Sequence, residues 1–433
     1  MPEPIKITPR EAAWQSLIRC ASADKFANLE ADAALKKYGF QGADRALYTR
    51  LVYGVTERKY TLDHFLSLLS SKPLKKLDPP VLSLLELGAY QILYADAVPD
   101  HAAVSETVGL CKRSHFKSAS GFVNAVLRNL IRRKGTLPLP PEGSDERFSV
   151  EYSVAPWIAS MFRNAYGDER TRAILSAFLA VPPITLRVNT LKTTRDTLLA
   201  DLRSAGIGAE PAKDSPVGIV LPASVPVSSL TALSDGLCFV QDEASQLCVS
   251  ALGAKKGETV FDLCACPGGK SFGLAMEMEN RGCLRSTDLH ESKCSLLVSG
   301  AERLGIGILH AAAADSSKPD PALTETADRV LCDVPCSGLG VIGKKPDLRF
   351  KKKEETDRLP AIQLAILRTG AEYLKPGGTL VYSTCTLIPA ENRSVVDALL
   401  ASDPRFSLRS DRTFFPDGGT DGFYFAVLNK RKS

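Results

Sequence analysis

The sequence predicts a multidomain protein with an all-α N-terminal bundle, a small α+β middle domain and a C-terminal α/β domain. Two observations support this prediction: helical apolar periodicity dominates residues 5–135, and strands alternate with helices from about residue 236. A chain of 433 residues with 44% hydrophobic and 24% charged residues can bury the cores of about two or three such domains.

The N-terminal bundle is predicted over residues 1–140. Within residues 122–133, Arg128, Arg132 and Arg133 lie off an apolar face that is formed by Phe122, Val123, Val126, Leu127, Leu130 and Ile131. The proline-rich stretch 138–141 and the acidic segment that ends at Asp145 predict a linker after the bundle.

Positive charge is concentrated in this bundle. Residues 1–140 contain 20 Lys or Arg against 13 Asp or Glu, whereas the rest of the chain contains 34 against 36. A basic domain beside a nearly neutral one favours a polyanionic partner that the first domain binds and the second one processes. An ordinary solvated surface would account for the same excess, so charge alone leaves both interpretations open.

Mixed and then alternating patterns follow the linker. Residues 150–235 are predicted as the small α+β domain, with helices near 157–179 and 194–205 and a strand at 185–189. Residues 236–433 are predicted as the α/β domain, with strands at 258–263, 328–334 and 378–384. Such alternation predicts a parallel sheet with a functional site at the carboxyl ends of its strands.

Composition also predicts the surroundings of the protein. The N-terminal residues lack an apolar secretory segment, and no run of about 18 apolar residues occurs, so a cytoplasmic protein without a membrane partner is expected. The 11 cysteines are an odd number, which favours reduced thiols over a disulfide framework. The spacings of Cys264, Cys266, Cys332 and Cys336 do not match a zinc knuckle, so no metal is expected.

A cofactor loop is predicted after the strand at 258–263. Its residues are Cys264, Ala265, Cys266, Pro267, Gly268, Gly269 and Lys270. The loop departs from the phosphate-binding pattern at Cys264 and from the dinucleotide pattern as well. It still offers a tight turn and a helix N-terminus, which suit a small carboxylate.

Acidic residues at later strand ends complete the predicted cofactor site. Asp288 could accept hydrogen bonds from ribose hydroxyls, and Asp315 from an adenine amino group. Together with the glycine loop, these residues favour S-adenosylmethionine. The segment that precedes Asp288 (CLRST) is a weak strand pattern, and either acid could instead be a helix cap or a solvated carboxylate.

Two cysteines in short motifs indicate the chemistry. Cys336 follows Asp333 in DVPCSG, and Cys385 lies in YSTCT. A thiolate that adds to C6 of cytosine makes C5 enamine-like, so that C5 can take a methyl group, and Asp333 is the candidate to assist at N3. This chemistry leaves the two thiols unranked. Lys270, a helix terminus or the geometry of bound RNA could activate Cys385.

The chain resembles the Nop/Sun family of RNA 5-methylcytosine methyltransferases over nearly its whole length. The resemblance rests on the two cysteine motifs, the glycine loop, and residues 44–48, 51–55, 88–107, 121–128, 186–189 and 240–245. It implies a NusB-like RNA-binding bundle, a Rossmann-like methyltransferase domain, S-adenosylmethionine as cofactor and 16S ribosomal RNA as partner of a monomeric enzyme.

The resemblance also implies roles for individual residues. Cys385 would be the nucleophile that forms an adduct at C6, Cys336 would assist product release, and Asp333 would contact both N3 and the cofactor. Residues 264–270, Asp288 and Asp315 would line the cofactor site. Two departures from the family pattern, Cys266 and the segment 343–347, bear on local contacts only. The alternatives are the same chemistry on another RNA such as tRNA or on DNA, and a non-catalytic RNA-binding or antitermination factor.

Overall fold

The computed structural model describes residues 7–23 and 26–432. Residues 1–6, 24 and 25 of the predicted N-terminal bundle, and residue 433, lie outside this description. The chain forms two compact units: unit 1 contains Met1–Leu179 and Lys344–Lys351, and unit 2 contains Ala180–Gly343 and Lys352–Ser433.

Unit 1 is helical throughout its described residues. Its helices are α1 (Pro9–Ala23), α2 (Ala27–Tyr38), α3 (Gly42–Leu69), α4 (Pro79–Tyr94), α5 (Asp100–Arg113), α6 (Ser120–Arg133), α7 (Asp145–Tyr152) and α8 (Pro156–Ala177). One apolar core joins the first six of these helices. Gly54 allows α3 and α4 to approach closely, because a Cβ atom there would lie 2.1 Å from Cζ of Tyr90.

The helices that follow the proline-rich stretch also belong to unit 1. Thr61 Oγ1 on α3 donates a hydrogen bond to Val150 O on α7 at 2.6 Å. The segment 344–351 returns to this unit, where the fully buried Arg349 donates to carbonyl oxygens of Tyr152 and Phe178. The packing therefore places residues 145–179 with the bundle, whereas the sequence assigned residues from 150 onward to the middle domain.

The middle part of the chain forms a four-stranded antiparallel sheet. Its elements are β1 (Ile184–Val188), α9 (Arg195–Ser204), β2 (Glu210–Pro211), β3 (Gly218–Leu221), α10 (Thr231–Ser234) and β4 (Cys238–Val240). The strand order is β2-β3-β1-β4. Leu198 and Leu202 of α9 are buried with Leu186 and Ile219 of the sheet, so the amphipathic helix covers one face.

The C-terminal part forms a seven-stranded sheet with helices on both faces. Its elements are α11 (Glu243–Leu252), β5 (Thr259–Asp262), α12 (Gly269–Glu277), β6 (Cys283–Asp288), α13 (Glu291–Leu304), β7 (Leu309–Ala313), β8 (Ala327–Asp333), α14 (Leu359–Tyr373), β9 (Leu374–Thr384), α15 (Arg393–Ser402), β10 (Phe406–Phe414) and β11 (Phe423–Lys430). The strand order is β10-β11-β9-β8-β5-β6-β7.

The order of the strands determines where ligands can bind. Strands β5 to β9 run parallel, and β11 pairs antiparallel with β9 and β10. The chain passes from β5 to β6 on one side, while β8 pairs with β5 on the other. In open α/β sheets such a reversal opens a crevice at the carboxyl ends of the strands. The ends of β5 and β8 therefore mark the expected site.

Most predicted elements agree with the structure, and β6 is the informative exception. The sequence pattern gave only a weak strand before Asp288, but residues 283–288 are a regular strand. They pair with β5 on one side and β7 on the other. Pairing with two neighbouring strands thus stabilises β6 as a strand, although its residues have modest β propensity.

None of the helices in the described part of the chain is both long and apolar enough to cross a membrane.

Candidate active site

The loop between β5 and α12 (residues 263–268) forms a tight turn. Gly268 N donates a hydrogen bond to Ala265 O at 2.7 Å. Gly268 has a φ of 113°, and a Cβ atom there would lie 2.4 Å from Cζ of Phe272. Both the positive φ and the close contact require glycine at this position. The turn leads directly into the nine-residue helix α12, whose N-terminus favours negative charge.

Three predicted carboxylates lie at or just beyond the carboxyl ends of parallel strands of the sheet. Asp288 ends β6, Asp333 ends β8 and Asp315 lies two residues beyond β7. Asp288 Oδ1 accepts a hydrogen bond from the backbone of the turn that follows it, at 3.1 Å. Hydrogen bonds from Ser317 and the ion pair with Lys318 lower the pKa of Asp315 to about 2. The sheet therefore brings together the strand ends that the sequence predicted.

Asp262 at the end of β5 was not among the predicted site residues. Its side chain is fully buried, and burial raises its pKa to about 7. Ser271 Oγ donates to Asp262 Oδ2 at 2.6 Å, whereas Oδ1 has no hydrogen-bond partner among the described residues. A carboxylate at the end of an apolar strand, directly before a glycine turn, is the signal that could have identified it.

These groups fit S-adenosylmethionine. Carboxylates at three strand ends can accept hydrogen bonds from ribose hydroxyls and from amino groups, and the N-terminus of α12 suits a carboxylate. The partnerless Oδ1 of Asp262 is a buried acceptor that a donor in the crevice would satisfy.

A charged pair connects the cofactor loop to β8. Lys270 Nζ lies 2.6 Å from Asp333 Oδ2, and Ser383 Oγ donates to Asp333 Oδ1 at 2.8 Å. The lysine ammonium also lies 5.0 Å from the centre of the Phe423 ring. Burial opposes the charge, but the Asp333 carboxylate holds the pKa of Lys270 above its ordinary value. Lys270 is therefore a permanent cation beside the carboxyl ends of β8 and β9.

The two motif cysteines are in contact. Cys336 lies three residues beyond β8, Cys385 directly follows β9, and their Sγ atoms are 3.3 Å apart. The hydrogen bond to Cys385, together with burial, raises the pKa of the Cys336 thiol well above its ordinary value. Lys270 interacts electrostatically with Cys385. The structure thus places two thiols and the Lys270–Asp333 pair at adjacent strand ends.

A network of buried hydrogen bonds connects the loop that contains Cys336 to the loop that contains Cys385. Glu391 Oε2 accepts from Ser337 N and from Gln363 Nε2, both at 2.8 Å. Ser337 Oγ and Thr386 Oγ1 lie 2.6 Å apart, which joins the loop of Cys336 to that of Cys385. The sequence did not identify these residues, because a buried glutamate beyond a strand has no periodic signal. Their role follows only from contacts between distant parts of the chain.

The remaining thiols of the cofactor loop do not resemble nucleophiles or metal ligands. Burial raises the pKa of Cys264 well above its ordinary value and that of Cys266 to about 12. Cys266 Sγ donates to the backbone oxygen of Lys293 at 3.3 Å. Across residues 7–23 and 26–432, no group of three or more His, Cys, Asp or Glu side chains is placed to hold a metal ion.

Family models match three consecutive regions of the chain. The NusB family model matches residues 7–132, and a ferredoxin-like domain model of RsmF/B-like methyltransferases matches residues 155–228. The model of the 16S rRNA methyltransferase RsmB/F matches residues 249–429. These matches confirm the predicted fold class: a NusB-like helical bundle, a small α+β domain and an α/β methyltransferase domain.

Relatives match over the whole length of the chain. It is 37% identical to "Probable ribosomal RNA small subunit methyltransferase B" of Bacillus subtilis (strain 168), with 98% of this chain and 99% of the relative covered. It is 34% identical to ribosomal RNA small subunit methyltransferase B of Salmonella arizonae, over 90% and 91% of the two chains. The crystal structure of the protein PH0851 has the same fold, with a TM-score of 0.82, 24% identity and coverage of 99% and 100%. The chain belongs to the RsmB/F family of S-adenosylmethionine-dependent 16S rRNA methyltransferases.

Proposed function

We propose that this enzyme methylates C5 of cytosine-967 in 16S ribosomal RNA through a covalent adduct with Cys385. The observation that carries the proposal is the contact between Cys336 and Cys385 beside the Lys270–Asp333 pair. Two thiols at adjacent strand ends suit a reaction in which one thiol adds to the base and the other assists the departure of the product.

Electrostatics supports a division of labour between the thiols. The contact with Cys385 and burial both raise the pKa of the Cys336 thiol, which favours its protonated form. The permanent positive charge of Lys270 interacts with Cys385 and stabilises a thiolate there. Both effects favour Cys385 as the nucleophile, which the motifs alone left undecided.

The chemistry of the base then follows in balanced steps. The Cys385 sulfur forms a bond to C6, and the electron pair of the C5–C6 double bond makes C5 nucleophilic. S-Adenosylmethionine, when bound, supplies the electrophilic methyl group. A base removes the C5 proton, the bond between sulfur and C6 breaks, and the C5–C6 double bond re-forms. The protonated thiol of Cys336 can return a proton to the departing sulfur.

Asp333 has a proposed role in the first step. Attack at C6 becomes easier when N3 takes up a proton from water as the bond forms, and the Asp333 carboxylate stabilises the resulting N3–H group by accepting its hydrogen bond. Lys270 and Ser383 hold the Asp333 carboxylate in place from two sides. The target cytidine must be single-stranded or flipped out, because the thiolate approaches C6 perpendicular to the plane of the base.

We further propose a monomer that acts in the cytoplasm. All the candidate catalytic and cofactor residues in the described chain come from one polypeptide. The expected substrate is a ribosomal RNA, and an enzyme that modifies it acts in the cytoplasm, where ribosomes are.

The direct test is the location of the modified nucleotide. Mass-spectrometric mapping of 5-methylcytidine in 16S rRNA and tRNA should show that position 967 alone loses its methyl group when the gene is deleted. The wild-type gene should restore it, and a gene with Cys385→Ala should not. Loss of a tRNA methyl group with position 967 intact would overturn the proposed substrate.

The cofactor assignment gives a separate prediction. If Asp288 accepts hydrogen bonds from ribose hydroxyls, Asp288→Ala should weaken S-adenosylmethionine binding by about 1.5 to 3 kcal/mol, roughly 10- to 150-fold. Isothermal titration calorimetry measures this directly. The exposed Asp201 on α9 offers a matched control, since Asp201→Ala should leave the affinity unchanged. Wild-type affinity in the Asp288 variant would remove Asp288 from the cofactor site.

A further inference from the structure

Unit 1 contains a large groove between α5 and α6. Its volume is about 900 Å³, near the upper end of the roughly 300 to 1,000 Å³ that is usual for ligand pockets. Gly109 and Ala125 line it, and their small side chains leave the space between the helices open. The groove contains none of the cysteine or cofactor residues of unit 2. It is therefore a second candidate site with its own ligand.

The chain around this groove is strongly basic. Residues 100–135 contain seven Lys or Arg and two Asp or Glu. Three of the basic residues, Lys112, Arg128 and Arg132, line the groove and are exposed. The carboxylate that lines it, Asp100, forms an ion pair with Lys134 at 2.8 Å. The lining thus carries a net positive charge that no other group in the groove offsets.

The two arginines are held in place but keep donors available. Arg128 Nε donates to Asn124 Oδ1 at 3.1 Å, and an Arg132 terminal nitrogen donates to Asn129 Oδ1 at 3.0 Å. Neither guanidinium forms an ion pair with a carboxylate of the described residues. The arginines are four positions apart on α6, so they lie on one face about 5 to 6 Å from each other at Cβ. Together they present a fixed pair of cationic donors.

This chemistry fits the sugar-phosphate backbone of RNA. Guanidinium groups bind phosphate oxygens through paired charge-assisted hydrogen bonds, and asparagine side chains can bind phosphate or sugar oxygens. The lining also contains the apolar residues Val104, Val108 and Ile131, against which the sugar rings could pack.

We propose that the α5–α6 groove binds the sugar-phosphate backbone of the ribosomal RNA segment that carries the target cytidine. The proposal rests on the proposed function for the identity of the RNA, and it assigns the capture of that RNA to named residues. The cationic side chains of the groove would displace counterions condensed on the RNA phosphates, so binding through the groove must weaken as salt concentration rises.

The test compares two double variants in the full-length protein. Arg128→Gln with Arg132→Gln removes the paired donors of the groove. Lys36→Gln with Lys75→Gln removes two exposed charges of unit 1 that do not line the groove. Filter binding of a 16S rRNA fragment at several salt concentrations gives the Kd and its salt dependence. Methyl transfer at saturating RNA gives kcat.

The groove variant should bind the fragment about 10- to 100-fold more weakly, and the slope of log Kd against log salt should fall by about 2. The control variant should stay within about 2-fold of wild type, and kcat of both should be unchanged, because the groove acts before the chemistry. The exposed positions favour normal folding, which the Tm checks. Arg128→Lys with Arg132→Lys keeps the charges and should keep most of the salt slope.

Three results would overturn the proposal. The first is a wild-type Kd and slope in the groove variant, and the second is an equal loss in the control variant. The third is wild-type affinity for naked RNA with lost activity on ribosomal particles, which would assign the groove to a protein partner. If the wild-type enzyme bound the fragment without methylating it, the proposed function would be refuted. The comparison of Kd between the groove variant and the control variant would still test the role of the groove.

Discussion

Replacing Cys385 with alanine should abolish both methyl transfer and any covalent complex between protein and RNA. Without the Cys385 sulfur no bond to C6 can form, so C5 never becomes nucleophilic enough to take a methyl group. We expect a loss greater than the 10²- to 10⁴-fold that is usual for a single acid–base group. Denaturing gels with labelled RNA and S-adenosylmethionine should show no shifted band, while RNA affinity stays near that of wild type.

Cys336→Ala is the matched comparison, because it removes the other thiol of the same 3.3 Å contact. If Cys336 returns the proton that allows the sulfur to leave, this variant should attack and methylate but release slowly. A denaturation-resistant adduct should therefore accumulate. An adduct with the Cys385 variant and none with the Cys336 variant would exchange the two roles. That result would contradict the electrostatic ranking drawn from Lys270.

The sequence was most informative where apolar strands end in chemically distinctive residues. Strands predicted at 258–263, 328–334 and 378–384 correspond to β5, β8 and β9, and the motifs that follow them meet at one edge of the sheet. Parallel pairing brings such strand ends together, so two short motifs could predict that their residues lie close to each other. The distance between the two sulfur atoms could not be predicted, because it depends on loop conformations held by other residues.

Contacts between distant parts of the chain escaped the sequence reasoning. Nothing local indicates that residues 344–351 pack in unit 1 or that the buried Arg349 binds carbonyl oxygens nearly 200 positions away in sequence. The same holds for Glu391, which accepts hydrogen bonds from Ser337 and Gln363. Buried charged residues form hydrogen bonds with polar groups that the fold buries. The positions of those groups follow no periodic pattern in the sequence.

Unit 1 also changes how RNA capture can be tested. Deleting residues 1–140 would remove the basic bundle, but α7 packs against α3 and belongs to the same compact unit. Such a deletion would expose the face of α7 that packs against α3, and any loss of RNA binding could then reflect misfolding. Point changes on the exposed face of α6 avoid this problem and keep the apolar core of the bundle intact.

Asp333→Asn should reduce turnover by about 10²- to 10⁴-fold at saturating RNA and S-adenosylmethionine. The amide has nearly the same shape as the carboxylate but cannot stabilise a protonated N3 by charge, and it also leaves the partly buried Lys270 without its ion-pair partner. Single-turnover methyl transfer measures the chemical step directly.

Ser383→Ala is the matched control for this change. It removes the 2.8 Å hydrogen bond to Asp333 Oδ1 and leaves the Lys270 pair in place. A hydrogen bond to a charged carboxylate contributes about 1.5 to 3 kcal/mol, so its loss should slow the step by at most roughly 10- to 150-fold. If Asp333→Asn raised only the KM for S-adenosylmethionine, Asp333 would be a cofactor contact without a role at N3. If Asp333→Asn slowed methyl transfer only as much as Ser383→Ala does, Asp333 would be a positioning residue. Loss of its charge would then slow the reaction no more than loss of the hydrogen bond that aligns it.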